Sequence, residues 1–298
     1  MIPRPPTARR FRAAATAALF LAPLLLFYGV YYVYAFVFLG RTSTTSVDLS
    51  FTGATEVGLR NFELILTDRQ FWIAIGNNLF FAGAQIAIAL TLGFFLAVSL
   101  ASGIRFRRPF YLAFLLPSLI PMSLFATVFG QMLQTDDGAV NQTLRAIGLG
   151  AFAQDWTGSA GPAYAAVIVL LTYMIGLPIM YYTADLSTTN TAVLEAAMID
   201  GAKTWQMYRL ILFPMLSGAH KTVILSLLLG SFRWFEVVYF STNSQPGGRT
   251  AIAGTYIYDH MFPSIGGGQI GYAAAASVVV LAIALAVSAV NVLVQRRR

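Results

Sequence analysis

The sequence contains no cysteine. That excludes disulfide frameworks, thiolate nucleophiles and thiolate-held metal centres together. Charge is nearly as scarce. Only 10% of the 298 residues are Asp, Glu, Lys or Arg, against roughly 25% in soluble domains. Histidine occurs at two positions, His220 and His260, too few to make a metal site alone. Neither lysine, Lys203 nor Lys221, follows a glycine, so no G-x-x-x-x-G-K-[ST] loop exists to hold ATP phosphates. H-E-x-x-H and G-x-S-x-G are likewise missing, so nothing points to metal-dependent or serine-based hydrolysis. No cofactor is expected in this chain.

What is present is apolar. Hydrophobic residues make up 57% of the chain, more than a water-facing surface could hide. The spacing predicts six membrane-crossing helices, near 14–39, 77–100, 110–132, 163–186, 218–240 and 272–294, each about the 20 residues a bilayer requires. The expected fold class is therefore all-α, a polytopic membrane protein. The first segment is too long for a signal peptide and lacks an A-x-A site before Arg41. It reads as a retained helix.

Positive charge is distributed unevenly between the loops. Arg4, Arg9, Arg10, Arg12, Arg105, Arg107, Arg108, Lys203, Arg209, Lys221, Arg296, Arg297 and Arg298 fall on one side, thirteen in all. Arg41, Arg60, Arg69, Arg145 and Arg249 make five on the other, where most of the acids also lie. This asymmetry puts both termini in the cytoplasm. It also explains the net charge of +7 without a nucleic-acid partner, since the basic clusters are short and flank spans.

The longest cytoplasmic connection, about 187–217, carries the strongest motif. Leu194, Ala197, Met198 and Trp205 recur at helical spacing, with Glu195, Asp200 and Lys203 off that stripe. The pattern predicts a short amphipathic helix, a break at Gly201 and a second short helix ended by Pro214. Such an exposed helix pair suits docking into a partner's groove.

Glu195-Ala196-Ala197, then Gly201, Ile211 and Phe213-Pro214, resembles the signature loop of the membrane subunits of ABC importers, with Phe213 in place of the family's leucine. The run Ile199-Asp200-Gly201-Ala202 is similar to the carbohydrate branch, the maltose-type importers. Val57-Gly58-Leu59-Arg60-Asn61-Phe62, Leu116-Pro117 through Pro121, Asn141-Gln142-Thr143-Leu144 and Pro178 extend the resemblance along most of the chain. The resemblance implies a cytoplasmic segment at 1–13, one permease domain over 14–295 and a short tail at 296–298. It implies four kinds of partner: a second homologous permease, two ATP-binding subunits, an extracytoplasmic solute-binding protein and the lipid bilayer. ATP would be bound by the partner subunits, and the cargo would be a sugar. Glu195, Ala196, Ala197, Asp200, Gly201, Ala202, Ile211 and Pro214 are the expected ATPase-coupling residues. The outer loops near 40–75, 133–161 and 241–271 are the expected docking places for the binding protein.

Polar groups inside the spans are candidates for the translocation pathway. Arg233 and Glu236, at spacing i, i+3, would share a face with Ser226 and Gly230; an ion pair near the interface explains them equally well. Asn78 and Gln85 suit sugar hydroxyls or helix–helix hydrogen bonds, the latter favoured. Tyr173 could stack on a sugar ring, though packing is the commoner role. Pro117 and Pro121 should kink the third span. His220, beside Lys221, reads as interfacial. The run Gly266 to Gly271 fits G-x-G-x-x-G formally, but follows no strand and reads as a flexible loop. Asn141 heads a formal N-x-T glycosylation triplet, which carries no weight. A rival class is an ion-coupled secondary transporter, which would more often show internal repeats. A milder rival keeps the importer class and carries glycerol phosphate, polyamine or another small solute.

Overall fold

The computed structural model describes residues 7–50, 53–263 and 269–296. Gly266, Gly267 and Gly268 of the glycine run, with the extreme termini, lie outside the described residues. The chain forms two units, one of residues 1–65 and 260–279, the other of 66–259 and 280–298.

In the first unit α1 (Thr7–Ser43) runs as one helix through Pro23. Its apolar stretch, from Leu19 to Phe38, is exposed on all sides, as suits a helix whose solvent is lipid. A two-stranded antiparallel ribbon follows, with Thr45 opposite Glu56. Asn61 fixes the chain there, its amide donating to the carbonyls of Ser43 and Thr45 at 2.9 Å each. The last helix, α14 (Ile270–Arg296), starts in this unit. Its second residue, Gly271, lies so near the Thr45 carbonyl that a Cβ would collide with it.

The second unit holds the remaining spans. Helix α3 (Arg69–Ala101) crosses as one piece with a π-helical turn at Ala89–Gly93. Asp68 caps its start by accepting from Gln70 N at 2.7 Å. The third predicted span is two helices, α4 (Arg107–Leu119) and α5 (Met122–Met132), bent by 99°. Proline causes it: Pro121 has no N–H to continue the ladder, and Ile120 before it takes extended backbone at φ −80°, ψ 137°. The fourth span breaks at Met174–Ile175 between α7 (Ala160–Tyr173) and α8 (Gly176–Leu186). At Gly176 the backbone packs so closely on α4 that a Cβ would meet the Phe114 carbonyl and the Ser118 hydroxyl.

The fifth span departs most from expectation. It starts earlier, as α10 (Thr204–Met215), turns by 69° into α11 (Ser217–Ser231), and breaks again before α12 (Phe235–Ser241). The second short helix expected to end at Pro214 ends one residue beyond it, at Met215. Pro214 stands in a final short turn, Phe213–Met215, that follows the π-helical stretch Met207–Leu212. Among the described residues four helices are long and apolar enough to cross a membrane, or six if each bent pair is one span.

Two apolar cores hold this unit. One gathers Phe94, Ala97, Ile179, Tyr182, Leu216 and Val223, with Leu194 and Tyr208 packed on its edge. The other gathers Phe81, Ala126, Val167, Leu170, Val237 and Ile252.

Candidate functional site

The segment after span four is a capped helix–turn–helix. Asn190 starts α9 (Thr191–Ile199) by accepting from Ala192 N at 3.0 Å. The helix stops in a Schellman turn. Ala202 N donates to Ala197 O at 2.9 Å and Gly201 N to Met198 O at 3.1 Å. Gly201 sits at φ +81°, with no atom within 4 Å of where a Cβ would stand. A glycine is needed there for its backbone freedom and not for space. Lys203 N then donates to Gln206 Oε1 at 2.8 Å to open α10.

The inner and outer faces of this pair differ. Leu194, Ala197, Ala202 and Ile211 are half-buried and Leu212 is buried, while Glu195, Ala196, Asp200 and Pro214 are exposed. Met198 and Trp205, predicted on one stripe with Leu194, are more than half exposed yet stay on the bundle side: Met198 lines a cavity with Leu194, and Trp205 lines another with Leu90, Phe94 and Phe95 of α3, whereas Ile199 is 86% exposed. A cavity of about 380 Å³ between the pair and the end of α3 is lined by Val98, Leu194, Met207 and Tyr208. The pair is thus joined to the bundle on one side and bare on the other.

His220 corrects the expectation of an interfacial side chain: it is buried. Its Nε2 donates to the Phe213 carbonyl at 2.8 Å and its Nδ1 accepts from the Tyr182 hydroxyl at 2.8 Å. A carbonyl can only accept, which sets the tautomer. The Phe213 carbonyl is loosed from the helix ladder by the bend, and His220 answers it. The same imidazole links α10, α11 and α8.

The second break in span five is answered in the same way. Asn78 donates to Ser231 O at 2.7 Å and accepts from Ala253 N at 2.7 Å. It is wholly buried and both of its polar atoms are in use, which places it as a tie between helices. Asn77, which the sequence did not single out, donates to the carbonyls of Arg249 and Ala251 at 2.6 and 2.7 Å. The Tyr164 hydroxyl lies against its Oδ1. Non-helical backbone at membrane depth persists only where protein groups satisfy it, and these two asparagines do so. Their adjacent amides in an apolar run were the available signal.

The other pathway candidates scatter. Gln85 is buried; its Nε2 reaches Leu171 O at 3.5 Å, and its Oε1 has no partner among the described residues. Tyr173 is 61% exposed at the end of α7, its ring 6.0 Å from that of Phe125. Ser226 and Gly230 are half-buried on α11. Arg233 lies exposed in the turn after α11, while Glu236 is half-buried in the first turn of α12. The helix ends at Ser231, so the i, i+3 face assumed for this pair does not form, and no ion pair joins them among the described residues.

The loop between spans three and four is organised by Asn141. It is buried, donates to the carbonyls of Thr135 and Gln154 at 3.0 and 2.8 Å, and accepts from Trp156 Nε1 at 3.0 Å. Asp155 accepts from Thr157 N at 2.9 Å and Gly158 N at 2.8 Å. These bonds hold its carboxyl below the ordinary value. Bonds from the Ser50 hydroxyl and N–H do the same for Asp48.

Apolar helices with satisfied breaks, and a capped helix pair bare on one face, define a polytopic membrane protein. The chain belongs to the family of binding-protein-dependent transport system inner membrane components, whose profile matches residues 68–298. It is therefore the permease of a binding-protein-dependent importer. It is 30% identical over 275 residues to the probable ABC transporter permease protein YurN of Bacillus subtilis, covering 91% of this chain and 92% of that one. To the multiple sugar-binding transport system permease protein MsmF of Streptococcus mutans it is 26% identical over 242 residues, 81% of each chain. The fold matches that of a chain in a bacterial alginate ABC transporter, solved with an alginate pentasaccharide-bound periplasmic protein. That match has a TM-score of 0.80 at 19% identity and covers 98% of this chain and 97% of the other.

Proposed function

We propose that this chain is one of two permease subunits of an ATP-driven importer carrying a sugar or oligosaccharide across the cytoplasmic membrane. The observation that carries the coupling role is the helix–turn–helix at 191–215. Its inner face packs on the bundle core while Glu195, Ile199 and Asp200 stand outside. A partner that grips the outer face can therefore move α8, α10 and α11 together. The ATPase belongs in the partner, in two copies below the bundle, and the positive-charge asymmetry sets this loop and both termini in the cytoplasm. Transport is then alternating access, with no bond in the cargo broken by this chain.

The relatives support a sugar cargo: MsmF belongs to a multiple sugar-binding transport system, and the alginate transporter was solved with a periplasmic protein holding an alginate pentasaccharide. Gln85, with its unspent acceptor, and Tyr173, Ser226 and Gly230 remain the proposed pathway residues. The test is Glu195→Trp in the assembled importer. We expect normal membrane insertion with lost ATPase docking or lost uptake; wild-type uptake would overturn the coupling role. Uptake that survives loss of ATP but not of the proton gradient would favour an ion-coupled carrier. The solute that stabilises the co-purified binding protein identifies the cargo.

A further inference from the structure

A second feature at the same end of the bundle is unused by this reading. Where α3 ends, α4 begins and α8 ends, a cavity of about 620 Å³ opens. Leu100, Leu112 and Leu186 give it apolar walls, and Tyr111, Arg107 and Arg108 line it with them; both arginines are exposed. No carboxylate is among its lining residues. The arginines occupy the first turn of the 13-residue α4, where the positive end of the helix dipole adds to their charge.

We propose that this cavity seats an anionic phospholipid, its acyl chain against the leucines and its phosphate on Arg107 and Arg108. Three observations select this occupant. The cavity lies where three membrane helices terminate, the depth of a headgroup. Guanidinium groups present paired donors that match phosphate oxygens. A free inorganic anion could use the arginines but would gain nothing from three leucine walls; a zwitterionic lipid could use the walls but would bring its own cation to two unopposed arginines. Basic pockets between helices at a membrane face are recognised sites for acidic headgroups.

The test uses the full-length chain in detergent, titrated with phosphatidylglycerol or phosphatidylcholine and read by native mass spectrometry. We expect wild type to retain phosphatidylglycerol preferentially. R107Q/R108Q should weaken that retention about thirty-fold, from roughly one order and a half for two lost cation contacts. R105Q removes a neighbouring charge that does not line the cavity and should retain lipid as wild type does. L112W fills the cavity without altering charge and should also lose the lipid, which decides the matter should the double variant not fold. Equal retention by R107Q/R108Q and R105Q, or equal retention of phosphatidylcholine, overturns the proposal. Displacement of the lipid by inorganic phosphate overturns it in favour of a soluble-anion site. Since the readout needs no ATPase, failure here is distinguishable from failure of the coupling role.

Discussion

Gly201 offers the sharpest test of the turn proposed to couple this chain to its ATPase. Two substitutions separate conformation from bulk. A Cβ at Gly201 meets nothing within 4 Å, yet the residue sits at φ +81°. An L-residue with a Cβ pays about 1–2 kcal/mol to hold that backbone, and asparagine pays less. Gly201→Ala should therefore lower the ratio of formed to open Schellman turn about ten-fold, while Gly201→Asn, though larger, should lower it less. Hydrogen exchange at the Gly201 and Ala202 amides, which donate to Met198 and Ala197, reads the turn directly. The order of protection should be wild type, then Asn, then Ala. Uptake in proteoliposomes containing the assembled importer should follow the same order if the turn's shape limits coupling. Asparagine as damaging as alanine in exchange, or unchanged exchange in both, would refute the conformational reasoning. Normal exchange in Asn with abolished uptake would locate the defect in partner contact.

Other consequences are equally measurable. His220→Ala strands two buried groups, the Phe213 carbonyl and the Tyr182 hydroxyl, and should cost about 2–5 kcal/mol, whereas Tyr182→Phe should cost about half as much; apparent unfolding midpoints in detergent give the comparison. Asn78→Leu leaves Ser231 O and Ala253 N without their partner and should destabilise by about 3 kcal/mol, with Asn78→Asp worse because a carboxylate then faces the Ser231 carbonyl. Uptake that persists in a stable Asn78 variant would argue for a structural role there. The lowered pKa of Asp155 means its turn is stabilised above the ordinary carboxylate pKa and loses that support as pH falls through the lowered value. Protection of the 155–160 backbone should thus be flat from neutral pH to about pH 5 and fall only in stronger acid, a dependence that Asp155→Ala should abolish.

Much of this protein was legible in one dimension. Local chemistry determines the spans, because apolar length decides whether a segment partitions into lipid, and Pro121 forces the third span to bend wherever its neighbours lie. The turn at Gly201 was legible for the same reason. Its cap, its glycine and its Schellman bonds fall between Asn190 and Gln206, within reach of sequence spacing. The roles of His220, Asn77 and Asn78 were decided by tertiary structure. Asn78 meets Ser231 across 153 residues and Asn77 meets Ala251 across 174, and what they satisfy is backbone freed by breaks that periodicity does not reveal. The pair Arg233 and Glu236 shows the same limit in reverse: their spacing implied a shared face, and the end of α11 at Ser231 removed the helix that the inference needed. Apolar length and turn chemistry act through neighbours in the chain, whereas a buried polar group takes its meaning from whatever distant carbonyl or amide the folded bundle brings against it.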